Sequence, residues 1–439
     1  MKILINILLV CIPIIGFSQS APPLSISLQD AIRIGIESRN DINAKTFDEY
    51  LAANEVKSAQ KKWIPNIEAE GNIQYNIKNV PTYIPEGFAG LTEPQILSFG
   101  AKNQSIFGLS LDQVIYKPQI GTGVKVAKTN LELQKEKNRG FQTELRNSIA
   151  GAYFNVLLKK LQYKIAQEEE NRFKEYEVLI KGKYEHGSII KNKYLQAQLD
   201  TKNAKTQVNL ALQDYLLAYD YLKYQINFPK GDSLILTDST ENLWADNESI
   251  DVPDAIENRT EMKQLEINQT LNNLQLIKVR QAALPTVSLQ GYYAQMYQNN
   301  NFNYGEGKWW APHSYIGLNI HIPISENFIN SSNIQHLQLQ QKQLNFALAH
   351  EQSTIEYQIN KTRTELKNAK TNRAIAFDNY TLSQTIYKNQ EDQFALGEFE
   401  YSSLLDTEKS VYQAEQNYIV ATYNFLVAAL AYEKAIGKL

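Results

Sequence analysis

Few side chains in this sequence are arranged for bond-making chemistry. Its five histidines, His186, His313, His321, His336 and His350, fall at no spacing that would bring two imidazoles to one metal ion. The single cysteine is Cys11, so neither an intramolecular disulfide nor a thiolate metal site can form. No phosphate-cradling glycine loop and no nucleophile elbow occurs. The carboxylates Glu168, Glu169 and Glu170 lie in helical sequence, where a run of acids is expected to be solvated surface. The chain therefore reads as no enzyme, with no cofactor and no metal. Its work must lie in the surfaces that its elements build.

Those elements are long, and they recur. From Leu404 the sequence steps by three and four through Thr407, Val411, Ala414, Tyr418, Ala421, Phe425, Ala428 and Tyr432 to Ala435. An earlier run, Tyr194, Ala197, Thr201, Ala204, Val208, Ala211, Tyr215, Ala218, Leu222 and Gln225, keeps the same step. Heptads sustained this long predict coiled coil. Alternation of bulky with small lets a neighbouring helix come close at each alanine while the adjacent ring fills the gap. Two matched seams predict a duplicated unit.

At 439 residues, with 43% apolar residues and a mean hydropathy of -0.40, the chain is neither disordered nor a multi-span helical membrane protein. A net charge of -3 offers no bulk attraction for nucleic acid. Lys2 precedes an apolar run from Ile3 to Phe17 and then Ser18, Gln19 and Ser20, which predicts a secretory signal at residues 1–20 cleaved after about Ser18 or Ser20. That run is shorter than the ~20 residues of a spanning helix. Lipidation at Cys11 competes poorly, because Val10 is an unfavourable residue ahead of a lipidated cysteine.

After the linker at Ala21, Pro22 and Pro23, Ser27 and Asp30 form a capping box that opens a helix to about Lys62, ended by Pro65. Strict alternation follows, with Ile67, Ala69, Gly71, Ile73, Tyr75 and Ile77 on one face against Glu68, Glu70, Asn72, Gln74 and Asn76. This is the length and pattern of a tilted membrane strand of ~9–11 residues. Residues 79–104 read as a long loop, and 105–116 as a second strand with Phe107, Leu109 and Leu111 opposite Gly108, Ser110 and Asp112. Helical sequence from about Val124 to Lys183 would span on the order of 90 Å. It turns at His186, Gly187 and Ser188 into the first heptad helix.

The pattern then repeats. A polar connector at 228–250 leads to a helix opened by Asp251 and Asp254, in which Glu257, Asn258 and Arg259 echo Glu37, Ser38 and Arg39. A third strand sets Val287, Leu289, Gly291 and Tyr293 against Thr286, Ser288 and Gln290. After a loop at 298–312, a fourth sets Ile316, Leu318, Ile320 and Ile322 against Tyr315, Gly317, Asn319 and His321. A helix from about Ser331 to Phe394 turns at Gly397 into the second heptad helix. The division is thus 21–227, first repeat of helix, two strands and long helical hairpin; 228–250, connector; and 251–439, second repeat. Tyr292, Tyr293, Tyr297 and Tyr315 are expected near strand ends, where aromatic belts sit.

Four strands of membrane length cannot seal themselves in lipid, where each unpaired backbone group costs several kcal/mol. Either several copies share one barrel, or the strands form the soluble sheet of a secreted coiled-coil scaffold or adhesin. An autonomous porin is a further rival, though it has no use for such long hairpins. The segments "LQDAIRIGIESRN", "WIPNIEAEGNIQY" and "FALGEFEYSSLLDTEKSVYQAEQNYIVATYNFLVAALAYEKAIG", in this order and duplicated, resemble the TolC family of outer-membrane efflux ducts over essentially all of the chain beyond the leader. The resemblance implies a mixed fold. A long α-helical coiled-coil barrel would continue into a membrane β-barrel of twelve strands, four from each protomer of a homotrimer. It further implies an outer-membrane location with the helices in the periplasm, and a periplasmic adaptor joining the duct to an inner-membrane RND or ABC pump. Carried over residue by residue, a periplasmic gate falls at Tyr184, Phe394, Ser403 and Asp406. The adaptor-docking turns fall at Gly187 and Ser188 and at Gly397 and Glu398. Ser403 stands where the namesake has a second aspartate, which halves the negative charge expected there.

Overall fold

The proline-bounded alternations and the heptad runs emerge as strands and helices. The computed structural model describes residues 24–90, 92–229, 233–238, 252–396 and 401–439. The leader at 1–20, Asp251, Gly397 and Glu398 lie outside the described residues. The first part of the chain runs β1 (Leu24–Ile26), α1 (Leu28–Ser38), α2 (Asn40–Lys61), β2 (Asn66–Tyr75), β3 (Pro81–Ile84), β4 (Gln95–Ser98) and β5 (Asn103–Tyr116). Then come α3 (Pro118–Glu185), α4 (Lys191–Gln225), β6 (Leu234–Leu236), α5 (Val252–Asn258) and α6 (Thr260–Gln281). The chain ends with β7 (Thr286–Asn299), β8 (Trp310–His321), α7 (Glu326–Ile329), α8 (Ser331–Ala395) and α9 (Tyr401–Ala435).

Two compact units result, one from the described residues of 1–44, 138–260 and 352–439, the other from 45–137 and 261–351. The second unit holds a four-stranded antiparallel sheet in the order β2-β5-β7-β8. Prolines bound the strands as expected: Pro65 and Pro285 immediately precede β2 and β7, and Pro118 is the first residue of α3, where its missing amide costs nothing. The predicted loop at 79–104 contains a further hairpin, β3 with β4. Strand β8 begins at Trp310 rather than after Pro312. Pro312 is tolerated because β8 is an edge strand.

The first unit packs its core from α1, α3, α4 and α9 around Ile149, Tyr153, Phe154, Leu222 and Leu426. Part of the expected irregular connector is strand β6, which pairs in parallel with β1. The buried Tyr153 hydroxyl donates to Asp238 Oδ2 at 2.9 Å, and the same carboxylate accepts from Leu28 N at 2.7 Å, fastening this small sheet to α3. The capping box at Ser27 and Asp30 is formed, with Asp30 N donating to Ser27 Oγ at 3.2 Å.

The helix expected to run unbroken to Lys62 is interrupted at Arg39, whose backbone is extended (φ -73°, ψ 129°). Arg39 Nη1 reaches the end of α4, donating to the Gln225 carbonyl at 3.3 Å and to Gln225 Oε1 at 2.9 Å. The echo at Arg259 has the same cause. It separates α5 from α6 and donates from Nη1 to the Ala435 carbonyl at 3.2 Å, at the end of α9. Both heptad helices then close alike. Asn227 (φ 51°) and Gly437 (φ 72°) take the left-handed conformation, with Phe228 N bonding to Lys223 O at 2.8 Å and Lys438 N to Glu433 O at 3.0 Å.

Candidate functional site

The sheet presents two unlike faces. Reading across β2, β5, β7 and β8, three successive polar rungs are Glu70, Gly108, Ala294, His313; then Glu68, Ser110, Tyr292, Tyr315; then Asn66, Asp112, Gln290, Gly317. Tyr292 donates its hydroxyl to Glu70 Oε1 at 2.6 Å, and its ring stacks on Tyr315. The rungs between them carry Ala69, Leu109 and Tyr293, then Ile67, Leu111 and Ile316. This second face is apolar and open: Ile67 is 67% exposed and Ile316 76%. An uncovered apolar face of this kind marks contact with lipid or with a partner. At the loop end of the sheet Tyr297, Tyr304 and Trp310 pack together, with Tyr297 fully buried. Tyr292 and Tyr293, expected near a strand end, are instead in the middle of β7, and Tyr315 in the middle of β8.

The residues read as a gate lie in the other unit, near the hairpin ends. Gly187 (φ 72°) makes the turn after α3, with Ser188 N donating to Lys183 O at 2.9 Å. Tyr184 stacks on Tyr194 across that turn, with centroids 5.6 Å apart. Phe394 is buried with Tyr176 and Leu404, and Lys183 Nζ stands 4.6 Å from the centre of its ring. Ser403 and Asp406 are both exposed on α9. The structure therefore joins Phe394 to the α3 end and leaves Ser403 and Asp406 on an open helix face.

Beside this lies a cluster that sequence reasoning missed. Glu408 of α9 is buried in an ion pair with Arg172 of α3. Tyr176 and Tyr387 share a hydroxyl hydrogen bond next to it, and Tyr380 donates to Glu415 at 3.0 Å. Glu169, expected on the solvated surface, is 9% exposed. Burial, and then the negative charge of Glu408, push its carboxyl up to about 7. Burial likewise pushes Glu408 up, with Arg172 pulling it back. A signal was present. Leu405, Glu408, Tyr412, Glu415, Ile419, Thr422 and Leu426 form a second heptad stripe one position beyond the seam, so the acids on it face protein rather than water.

Residues 32–224 match the family described as outer membrane efflux protein. No curated protein sequence matches the chain. Among solved structures, the chain is similar to the open state of the Neisseria gonorrhoeae MtrE outer membrane channel, at 15% identity over 93% of this chain and 88% of that one, with a TM-score of 0.75. It is also similar to the Campylobacter jejuni CmeC outer membrane channel, at 16% identity over 94% and 85%, TM-score 0.72. The Vibrio cholerae outer membrane protein VceC matches at 11% identity over 93% and 96%, TM-score 0.71.

Proposed function

We propose that this chain is an outer membrane efflux protein, a reading that its matched segment and its fold support, and that it is the passive exit duct of a tripartite efflux or type I secretion system. The observation that carries the reading is the sheet: four strands with one apolar, exposed face and two unpaired edges, β2 and β8. Lipid would cover the face but leaves the edges unsatisfied, so copies must pair edge to edge. Because the strands alternate in direction, β2 of one copy meets β8 of the next antiparallel, and any number of copies closes evenly. Two copies would give eight strands, whose interior side chains fill. Three give twelve and leave a lumen, which supports a homotrimer.

The equal lengths of α2 and α6, 22 residues each, and of α4 and α9, 35 each, support an internal duplication over 21–227 and 251–439 with the connector 228–250 between them. Tyr184, Phe394, Ser403 and Asp406 would form the periplasmic gate. The turn at Gly187 and Ser188, with Gly397 and Glu398, would dock a periplasmic adaptor that joins an inner-membrane RND or ABC pump. Transport then needs no catalyst in this chain. The test is deletion of this gene and, separately, of the adaptor. A duct loses export of drugs, metals or secreted proteins in both strains. Export that persists without the adaptor would mark an autonomous pore instead.

A further inference from the structure

We infer that a basic cavity at the foot of the sheet binds a phosphate group, carried by a membrane phospholipid or free in solution. The site stands apart from the duct reading, which enters only for the lipid source. The cavity holds about 760 Å³ and lies where α2 gives way to β2 and β5 to α3, with the end of α6 alongside. Lys61, Lys62, Lys117 and Lys278 line it, and among the described residues no carboxylate does. In a chain of net charge -3, four cations converging on one hollow are a local reversal of sign.

No Asp or Glu stands three or four residues from any of the four. Lys164, Lys174, Lys181 and Lys361, by contrast, each pair with a glutamate one turn away. Among the described residues the four cavity lysines form no ion pair. Lys117 also directly precedes Pro118, the first residue of α3, whose first turn has no acid. A cation at the positive end of a 68-residue helix is the unfavourable sign, and an anion between the two relieves both. The walls are held in place. Gln119 donates from Nε2 to the Gln281 carbonyl and Thr122 from Oγ1 to Gln281 Oε1, each at 2.7 Å, which locks the start of α3 to the end of α6. Gln119 also lines the cavity, and its Oε1 is buried without a donor. A hydroxyl on a hydrogen phosphate or on a glycerol headgroup supplies that donor, while the lysines supply charge to the phosphate oxygens. Ile64 and Ile120 add apolar wall, and Ile64 is 61% exposed. In the duct reading this level is the periplasmic edge of the membrane strands, where phospholipid headgroups lie.

The test uses the full-length protein in dodecyl maltoside at fixed ionic strength, with two probes. Radiolabelled inorganic phosphate is followed by equilibrium dialysis, and phosphatidylglycerol is counted as bound adducts by native mass spectrometry. Saturable binding of at least one is expected, and the probe that binds identifies the source. K61Q/K62Q/K117Q/K278Q should weaken that binding at least roughly 10-fold, the worth of one lost charge-assisted hydrogen bond. K125Q/K128Q/K135Q/K137Q removes as many charges from exposed lysines of α3 and should leave binding unchanged. If the cavity variant fails to fold, Lys117→Gln alone, at an exposed position, should still weaken binding. Equal weakening by the two quadruple variants would mean diffuse attraction and overturn the site, as would the failure of both probes to saturate. Neither result touches the duct reading, which is judged by export.

Discussion

Two arginines end the heptad helices, and their chemistry at the residue scale is more than charge. Arg259 spreads one guanidinium over the Ala435 carbonyl at 3.2 Å and Gln358 Oε1 at 3.1 Å, a fork that a lysine ammonium cannot reproduce. Arg259→Lys is therefore expected to lose most of what Arg259→Ala loses, about 2 kcal/mol, with both read as a lower thermal transition in detergent. A lysine variant as stable as the wild type would refute the fork. The sequence echo of Glu37-Ser38-Arg39 in Glu257-Asn258-Arg259 was legible, but the helix break that it marks was not. The reason is that local pattern favours continuing the helix, while the break is stabilised by the remote ends of α4 and α9. Glu169 was misread for a related reason: one helix's periodicity does not reveal which neighbour covers it. Its carboxyl, raised from an ordinary 4.5 to about 7 by burial and by Glu408, holds its proton more tightly in the folded state than in the unfolded one. Stability should then fall as pH rises through that window, by at most roughly 3 kcal/mol. Between pH 5 and pH 7.5 the melting temperature of the wild type should drop, and Glu169→Gln should flatten the slope. A wild-type transition that rises over this range would contradict the assignment.

At the scale of elements, period decided what could be read. Alternation of two located all four sheet strands, and heptads located both coiled-coil helices, because those patterns are set by burial along one element. Short pieces escaped. β1 and β6 have three residues each, too few for a pattern, and owe their pairing to the core beneath them. The start of β8 was hidden by Pro312, two residues into the strand, because a missing amide donor reads as a strand boundary. Close packing of strands also sets a prediction. A Cβ at Gly108 would stand 2.8 Å from Ala294 Cβ and 3.1 Å from the Tyr293 carbonyl, so β5 and β7 would have to part. At Gly317, on the same polar face, a Cβ meets nothing within 4 Å. Gly108→Val should cost about 1–3 kcal/mol and deplete the folded protein in unboiled gels, whereas Gly317→Val should be tolerated. Equal yields of the two variants would show that the strand spacing adapts.

For the whole molecule, two unfinished surfaces call for further copies. One is the pair of sheet edges with its open apolar face. The other is α4, where Leu199, Leu210, Leu217, Tyr221 and Tyr224 remain exposed even though the seam residues Ala197, Ala204, Ala218 and Leu222 are buried within the chain. The second heptad helix differs, since its further face is already covered through Glu408 and Arg172. An amphipathic helix that keeps a second apolar face after folding is completed by assembly. Leu217 is the clearest case, at 68% exposed. Leu217→Glu adds a charge at a position that the single chain leaves mostly exposed, so it should leave an isolated protomer intact. Buried between protomers, the same charge would be costly. The wild type is expected to migrate from mild detergent as a trimer that boiling splits into single chains, and Leu217→Glu should lower the temperature of that splitting. If the variant splits at the wild-type temperature, α4 meets solvent rather than a neighbouring copy. If the wild type is a folded, water-soluble monomer without detergent, the edges of the sheet are not completed by copies of this chain at all.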